Sequence, residues 1–158
     1  MHRRKYAATD PGGSRRVSGR YHRGLDRFPE DEVWPALYFS LAPEVCLGEI
    51  LRHVSADLLP QLNDFRISEL SLQLVPVADC RDAGALGLTL DDFCDDFDYR
   101  ATQAIAAAAI ASGAEGVLVP SATRLGDNLI VFTTRLRPES RITVVSSREP
   151  RLYVPRLA

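Results

Sequence analysis

The alanine-rich run from Thr102 to Ser112, closed by Gly113 and followed after two residues by Gly116-Val117-Leu118-Val119, constrains the fold more than any other stretch. Alanine favours helix and adds little bulk, so the run predicts a helix packed close against its neighbours, with Asp98 as its cap. Glycine just past a helix end suits the left-handed turn found there. The short unbroken apolar run that follows reads as a buried strand, and Pro120 ends its hydrogen bonding immediately before Ser121. A helix this slim leading into a buried strand makes one wall of a core, and the remaining elements have to fit around it.

Those elements alternate in type. Val33 to Ser40 reads as a short strand entered through Pro35, and Ser40 caps a helix from Pro43 to His53, whose first turn suits Pro43 and Glu44. Val45, Ile50 and Val54 give that helix an apolar side, broadened by Cys46 and Leu47. Glu49 then sits at the border of the buried stripe, where a carboxylate faces a cleft. Phe65 to Val77 alternates with a change of phase near Ser68, which predicts a central strand with a bulge. Thr89 with Asp92 three residues on marks a helix start. Leu129 to Thr133, Ile142 to Val145 and Leu152 to Val154 read as further strands. There is no repeated strand-helix unit and no GxGxxG turn, so the expected fold is α+β rather than Rossmann: a single domain of mixed strands with flanking helices. A length of 158 residues with 46% apolar side chains suits one core.

Charge and cysteine usage narrow the function by exclusion. A net charge of -2 gives no global attraction to polyanions, so direct nucleic-acid binding is not expected. Cys46, Cys80 and Cys94 lack CxxC spacing and nearby paired histidines, which argues against both a disulfide framework and a zinc site. Reduced thiols and a cytoplasmic location follow. No apolar run reaches the roughly 20 residues of a membrane helix, and Met1 to Lys5 does not lead into a signal-peptide core. Residues 1–18 read as a basic, flexible amino-terminal arm through Pro11-Gly12-Gly13-Ser14, ahead of a domain over residues 19–158. The cluster Asp91, Asp92, Asp95, Asp96 and Asp98 lacks the turn glycine and final glutamate of a calcium loop and reads as helix-start and surface charge.

Four separated segments carry residue types that suit one ligand: Gly19-Arg20-Tyr21, Ala36-Leu37-Tyr38, Glu49, and Val119-Pro120-Ser121-Ala122. A guanidinium makes paired, charge-assisted hydrogen bonds to a pyrophosphate and keeps its charge, which suits Arg20. A tyrosine ring stacks on an aromatic base, which suits Tyr38, with Tyr21 as a second wall. An ionised carboxylate stabilises positive charge developing on a sugar, which suits Glu49, and a serine hydroxyl both donates and accepts, which suits Ser121. Phosphate, aromatic and sugar parts together describe a dinucleotide. Taken singly, each residue has an ordinary reading: Glu49 as a helix residue pairing with Arg52 or His53, Arg20 as a loop cation, Tyr38 as a half-buried strand residue and Ser121 as a turn or cap. His22 and His53 read as surface or supporting residues.

The ordered set of Gly19-Arg20-Tyr21, Trp34 to Ser40, Glu44 to Glu49, Thr102-Gln103, Val119 to Ala122 and Asn128 to Phe132 resembles the RES domain family, from about residue 19 to 133. The resemblance implies a core like that of ADP-ribosyltransferases. It also implies a growth-arresting toxin that breaks the nicotinamide-ribose bond of NAD+ by hydrolysis or phosphorolysis, with NAD+ as substrate and no bound cofactor or metal. Glu49 and Arg20 then take the catalytic roles, and Tyr21, Tyr38 and Ser121 bind substrate. The implied partner is an Xre-type helix-turn-helix antitoxin, and a homodimer is compatible with the family. Transfer of ADP-ribose to a protein, or a non-catalytic binding module, are the alternatives. The stretch His22 to Glu32 reads as an insertion relative to the family, so Arg23 and Arg27 stand beside Arg20 as phosphate-binding candidates.

Overall fold

The computed structural model describes residues 1–52 and 62–153. Its main sheet has four strands in the order β2-β6-β5-β4, where β2 is Ala36–Ser40, β4 is Val77–Asp79, β5 is Gly116–Pro120 and β6 is Asp127–Phe132. Strands β5 and β6 form an antiparallel hairpin, β2 pairs antiparallel with β6, and β4 runs parallel to β5. A three-stranded antiparallel sheet sets β1 (His2–Arg3) and β7 (Arg141–Arg148) on either side of β3 (Phe65–Gln73). The helices are α1 (Gly12–Arg16), α2 (Pro43–Arg52), α3 (Leu90–Cys94) and α4 (Arg100–Ala111). The architecture is the mixed α+β arrangement expected, and it divides its strands between two sheets.

Close packing of α4 on the sheet follows from its alanines. Ala106 and Ala109 are buried against a core that includes Phe93, Val117, Ile130 and Phe132. Gly113 follows the helix at a φ of 83°, the left-handed conformation that favours glycine. At Gly116 the sheet leaves no room for a side chain, since a Cβ there would lie 2.5 Å from the Ile130 carbonyl oxygen. Strand β5 is buried at Gly116, Val117 and Val119, as its unbroken apolar run predicts. Between α4 and β5 lies a buried carboxylate that sequence reasoning passes over. Glu115 is fully buried and accepts hydrogen bonds from the Val75 and Arg137 amides at 2.9 and 2.6 Å and from the Ser140 hydroxyl. Burial raises its pKa, but the hydrogen bonds from Ser140, Arg137 and Val75 outweigh it and hold the carboxyl below its ordinary value.

Several boundaries differ from expectation, each for a local reason. Thr89 and Asp92 form a reciprocal capping box at the start of α3. Asp98 does not cap α4: Tyr99 occupies that position, and Asp98 instead accepts from the Arg100 amide at 2.9 Å and pairs with the Arg100 guanidinium. The stretch Phe65 to Val77 divides into β3 and β4, which belong to different sheets, and the bulge in β3 falls between Glu69 and Leu70. Leu152 is not in a strand, because Pro150–Leu152 makes a single 3-10 turn; Val154 lies outside the described residues. Residues 1–18, expected as a basic arm, contribute β1 and α1. Among the described residues no helix is long and apolar enough to cross a membrane.

Candidate active site

Glu49 lies on α2, and its carboxylate is turned towards the β5-β6 hairpin. One oxygen, Oε1, accepts from the Ser121 hydroxyl at 2.5 Å, the Ala122 amide at 3.2 Å and the Asn128 side-chain amide at 2.8 Å. The other, Oε2, has no hydrogen-bond partner among the described residues. Three donors on one oxygen fix the orientation of the carboxylate, while the second oxygen stays available. Its supports are themselves fixed. Ser121 is fully buried and shares a hydrogen bond with Thr123 at 2.7 Å, and Asn128 accepts from the Ser40 hydroxyl at 2.8 Å. Asn128 and Ser40 face each other because β2 and β6 pair in that register.

Arg20 belongs to a small turn that α4 holds in place. Thr102 donates to the Arg20 carbonyl at 2.6 Å, and the Gln103 side-chain amide reaches the Gly19 and His22 carbonyls at 3.0 and 3.2 Å. Those contacts give Thr102-Gln103 a structural purpose. A Cβ on Gly19 would come within 2.4 Å of the His22 ring, so glycine is required by close approach. From this turn the Arg20 guanidinium lies over the Tyr99 ring and donates to the Phe93 and Asp95 carbonyls and to Asp96, the last at 3.0 Å. Arg23 is engaged elsewhere, between the rings of Phe28 and Trp34 and paired with Glu32, and Arg27 contacts Asp26 at the surface. The stretch from His22 to Glu32 therefore binds its own cations.

Tyr38 and Tyr21 stand beside each other, with ring centroids 6.4 Å apart. The Tyr38 hydroxyl accepts from the Tyr21 amide at 3.0 Å and donates to His22 Nδ1 at 2.7 Å; the other ring nitrogen of His22 donates to the Val17 carbonyl, which fixes the tautomer. The hydroxyl end is thus anchored while the residue remains 41% exposed, so the ring is what Tyr38 presents. His22 is buried at 7% exposure, so of its two expected readings, surface or supporting residue, the structure has the second. Burial lowers its pKa against the opposing pull of Val17 and Asp26. Tyr21 is 2% exposed, and its hydroxyl has no partner among the described residues. Burial raises its pKa against the Arg20 guanidinium, so the hydroxyl stays protonated and able to donate. His53 lies outside the described residues.

The groups converge through one chain of hydrogen bonds. Arg20 and Arg52 both bind Asp96, Arg52 also donates to the Ala122 carbonyl at 2.7 Å, and the Ala122 amide holds Glu49. A cavity of about 550 Å³ lined by Tyr38, Ser40, Cys46 and Ile67 opens beside the site, and a second of about 460 Å³ lies on the Tyr38 and His22 side. Neither is lined by Arg20, Glu49 or Ser121; the Asp95-Asp96 loop, fastened to the arginines, occupies that side. Among the described residues no group of three or more His, Cys, Asp or Glu is placed to hold a metal ion.

The NAD(+) phosphorylases MbcT of Mycobacterium bovis and Mycobacterium tuberculosis are 27% identical over 135 residues, spanning 80% of this chain and 67% of theirs. A chain in the crystal structure of the M. tuberculosis MbcT-MbcA toxin-antitoxin complex superposes with a TM-score of 0.79 at 26% identity, covering 99% of this chain and 85% of that one. The RES domain matches residues 1–154, nearly the whole sequence, and the chain belongs to the RES domain family.

Proposed function

We propose that this protein is an NAD+-cleaving toxin that transfers the ADP-ribosyl group to inorganic phosphate. The observation that carries the reading is the Glu49 carboxylate, with three donors on Oε1 and an open Oε2, within electrostatic reach of the half-exposed Tyr38. As the bond between nicotinamide nitrogen and ribose C1 lengthens, the bonding pair leaves with the ring, which departs neutral, and positive charge builds on the sugar. Glu49 Oε2 stabilises that charge and orients the 2-hydroxyl. Arg20 binds the pyrophosphate, and the Tyr38 ring stacks on nicotinamide. The Tyr21 hydroxyl, without a partner among the described residues, is a hydrogen-bond donor that the ligand completes. Ser121 acts as a positioning residue for Glu49. A phosphate oxygen bonds to C1 as nicotinamide leaves, giving ADP-ribose 1-phosphate and one released proton.

The name of the MbcT relatives supports phosphate as acceptor, and the toxin-antitoxin structure supports a protein antitoxin as partner. An Xre-type helix-turn-helix antitoxin, a cytoplasmic site of action and a homodimer complete the proposal. The test is nicotinamide release by the purified protein with and without phosphate, alongside Glu49→Ala and Arg20→Ala at matched folding by circular dichroism. Phosphate-dependent release that both substitutions abolish supports the reading. Release independent of phosphate identifies water as the acceptor, and a folded protein that releases none under either condition defeats it.

A further inference from the structure

Asp96 has two arginines for one carboxylate. Its Oδ1 accepts from Arg20 at 3.0 Å and its Oδ2 from Arg52 at 2.9 Å. The arginines come from distant segments, the Gly19–His22 turn and the last turn of α2, yet their side chains are only 14% and 28% exposed. Asp96 sits on a loop with little apolar anchorage, since the adjacent Phe97 is 96% exposed. Arg52 also donates to the carbonyl of Ala122, the residue whose amide holds Glu49.

We infer that Arg20 and Arg52 form a seat for a phosphate oxyanion and that Asp96 fills it as an internal stand-in, displaced when the ligand binds. The inference rests on the NAD+-cleaving reading and adds Arg52 and Asp96 to it. Two guanidinium groups on the two oxygens of one anion is how planar cations recognise phosphate, and a phosphate brings more charge and more acceptor oxygens than a carboxylate. Displacement needs only a rotation of the Asp96 side chain. Arg20 keeps its hold on the Phe93 and Asp95 carbonyls through Nη1 while Nη2 passes to the ligand. The seat is coupled to Glu49 through one residue, because Ala122 gives its carbonyl to Arg52 and its amide to Glu49. The same chemistry serves free phosphate or the pyrophosphate of a dinucleotide.

The test is isothermal titration of inorganic phosphate and, separately, of ADP-ribose into the native protein, Arg52→Gln and Asp96→Asn. Asp96→Asn is expected to bind one of the two ligands at least threefold more tightly, a gain that damage to the fold would not produce. Arg52→Gln is expected to bind that ligand at least tenfold more weakly, and Arg52→Lys, which keeps the charge without the fork, takes its place if the glutamine variant does not fold. An effect on phosphate assigns the seat to the acceptor, and an effect on ADP-ribose assigns it to the pyrophosphate. Affinities for both ligands that stay within twofold of native in either variant overturn the inference. Nicotinamide release by the same native preparation separates the two failures: a protein that releases none defeats the NAD+-cleaving reading, while the titrations still decide the arginine pair.

Discussion

At the scale of single residues, the orientation of Glu49 depends on its three donors, the Ser121 hydroxyl, the Ala122 amide and the Asn128 side chain. Asn128→Ala removes one of three donors and is expected to lower kcat for nicotinamide release about tenfold with KM for NAD+ nearly unchanged, because the loss is of transition-state alignment. A rise in KM alone would place Asn128 in substrate binding instead. His22 gives a pH dependence whose sign follows from its burial. Its folded pKa lies below the unfolded value of 6.5, so the unfolded chain takes up the proton first. This contribution to stability is complete above about pH 6.5 and declines as pH falls from there towards the depressed folded value. Urea unfolding at pH 7.5 and 5.5 should show a larger loss for the native protein than for His22→Gln. Arg20, Tyr21, Tyr38, Glu49 and Ser121 were legible as types in order, but His22 was not. Nothing local in the sequence reveals that the Gly19 turn folds its ring under Tyr38. Arg52 and Asp96 were equally hidden, since their pairing depends on a loop 44 residues away.

At the scale of elements, capping and periodicity served well where one element decides its own fate. The capping box at Thr89, the glycine after α4 and the buried run of β5 all follow from local chemistry. The division of Phe65 to Val77 between two sheets was illegible because the alternation of a strand does not say which partner it meets. Glu115 shows the same limit. A glutamate between an alanine helix and an apolar strand gives no sign that two amides and a hydroxyl from two other segments will enclose it. Glu115→Ala would leave those donors buried without an acceptor and is expected to cost about 3 kcal/mol in chemical denaturation. Activity per folded molecule should be unchanged, since Glu115 makes no contact with the site residues; a proportionate loss of kcat would contradict that separation.

At the scale of the whole molecule, a ligand bound only by the folded state adds stability by mass action. ADP-ribose at a hundredfold excess over its Kd should stabilise the protein by about 2.7 kcal/mol, read as a rise in Tm. Arg20→Ala should lose that rise at the same concentration, and an undiminished shift would place the ligand elsewhere. Glu49 precedes the three donors to its carboxylate by 72, 73 and 79 residues, and β2 meets its sheet only through β6. A nascent chain therefore displays Arg20 and Glu49 long before the residues that hold them have been made. An activity that needs the fixed Glu49 carboxylate therefore waits for the hairpin, and translation itself delays its onset until β5 and β6 have emerged and docked.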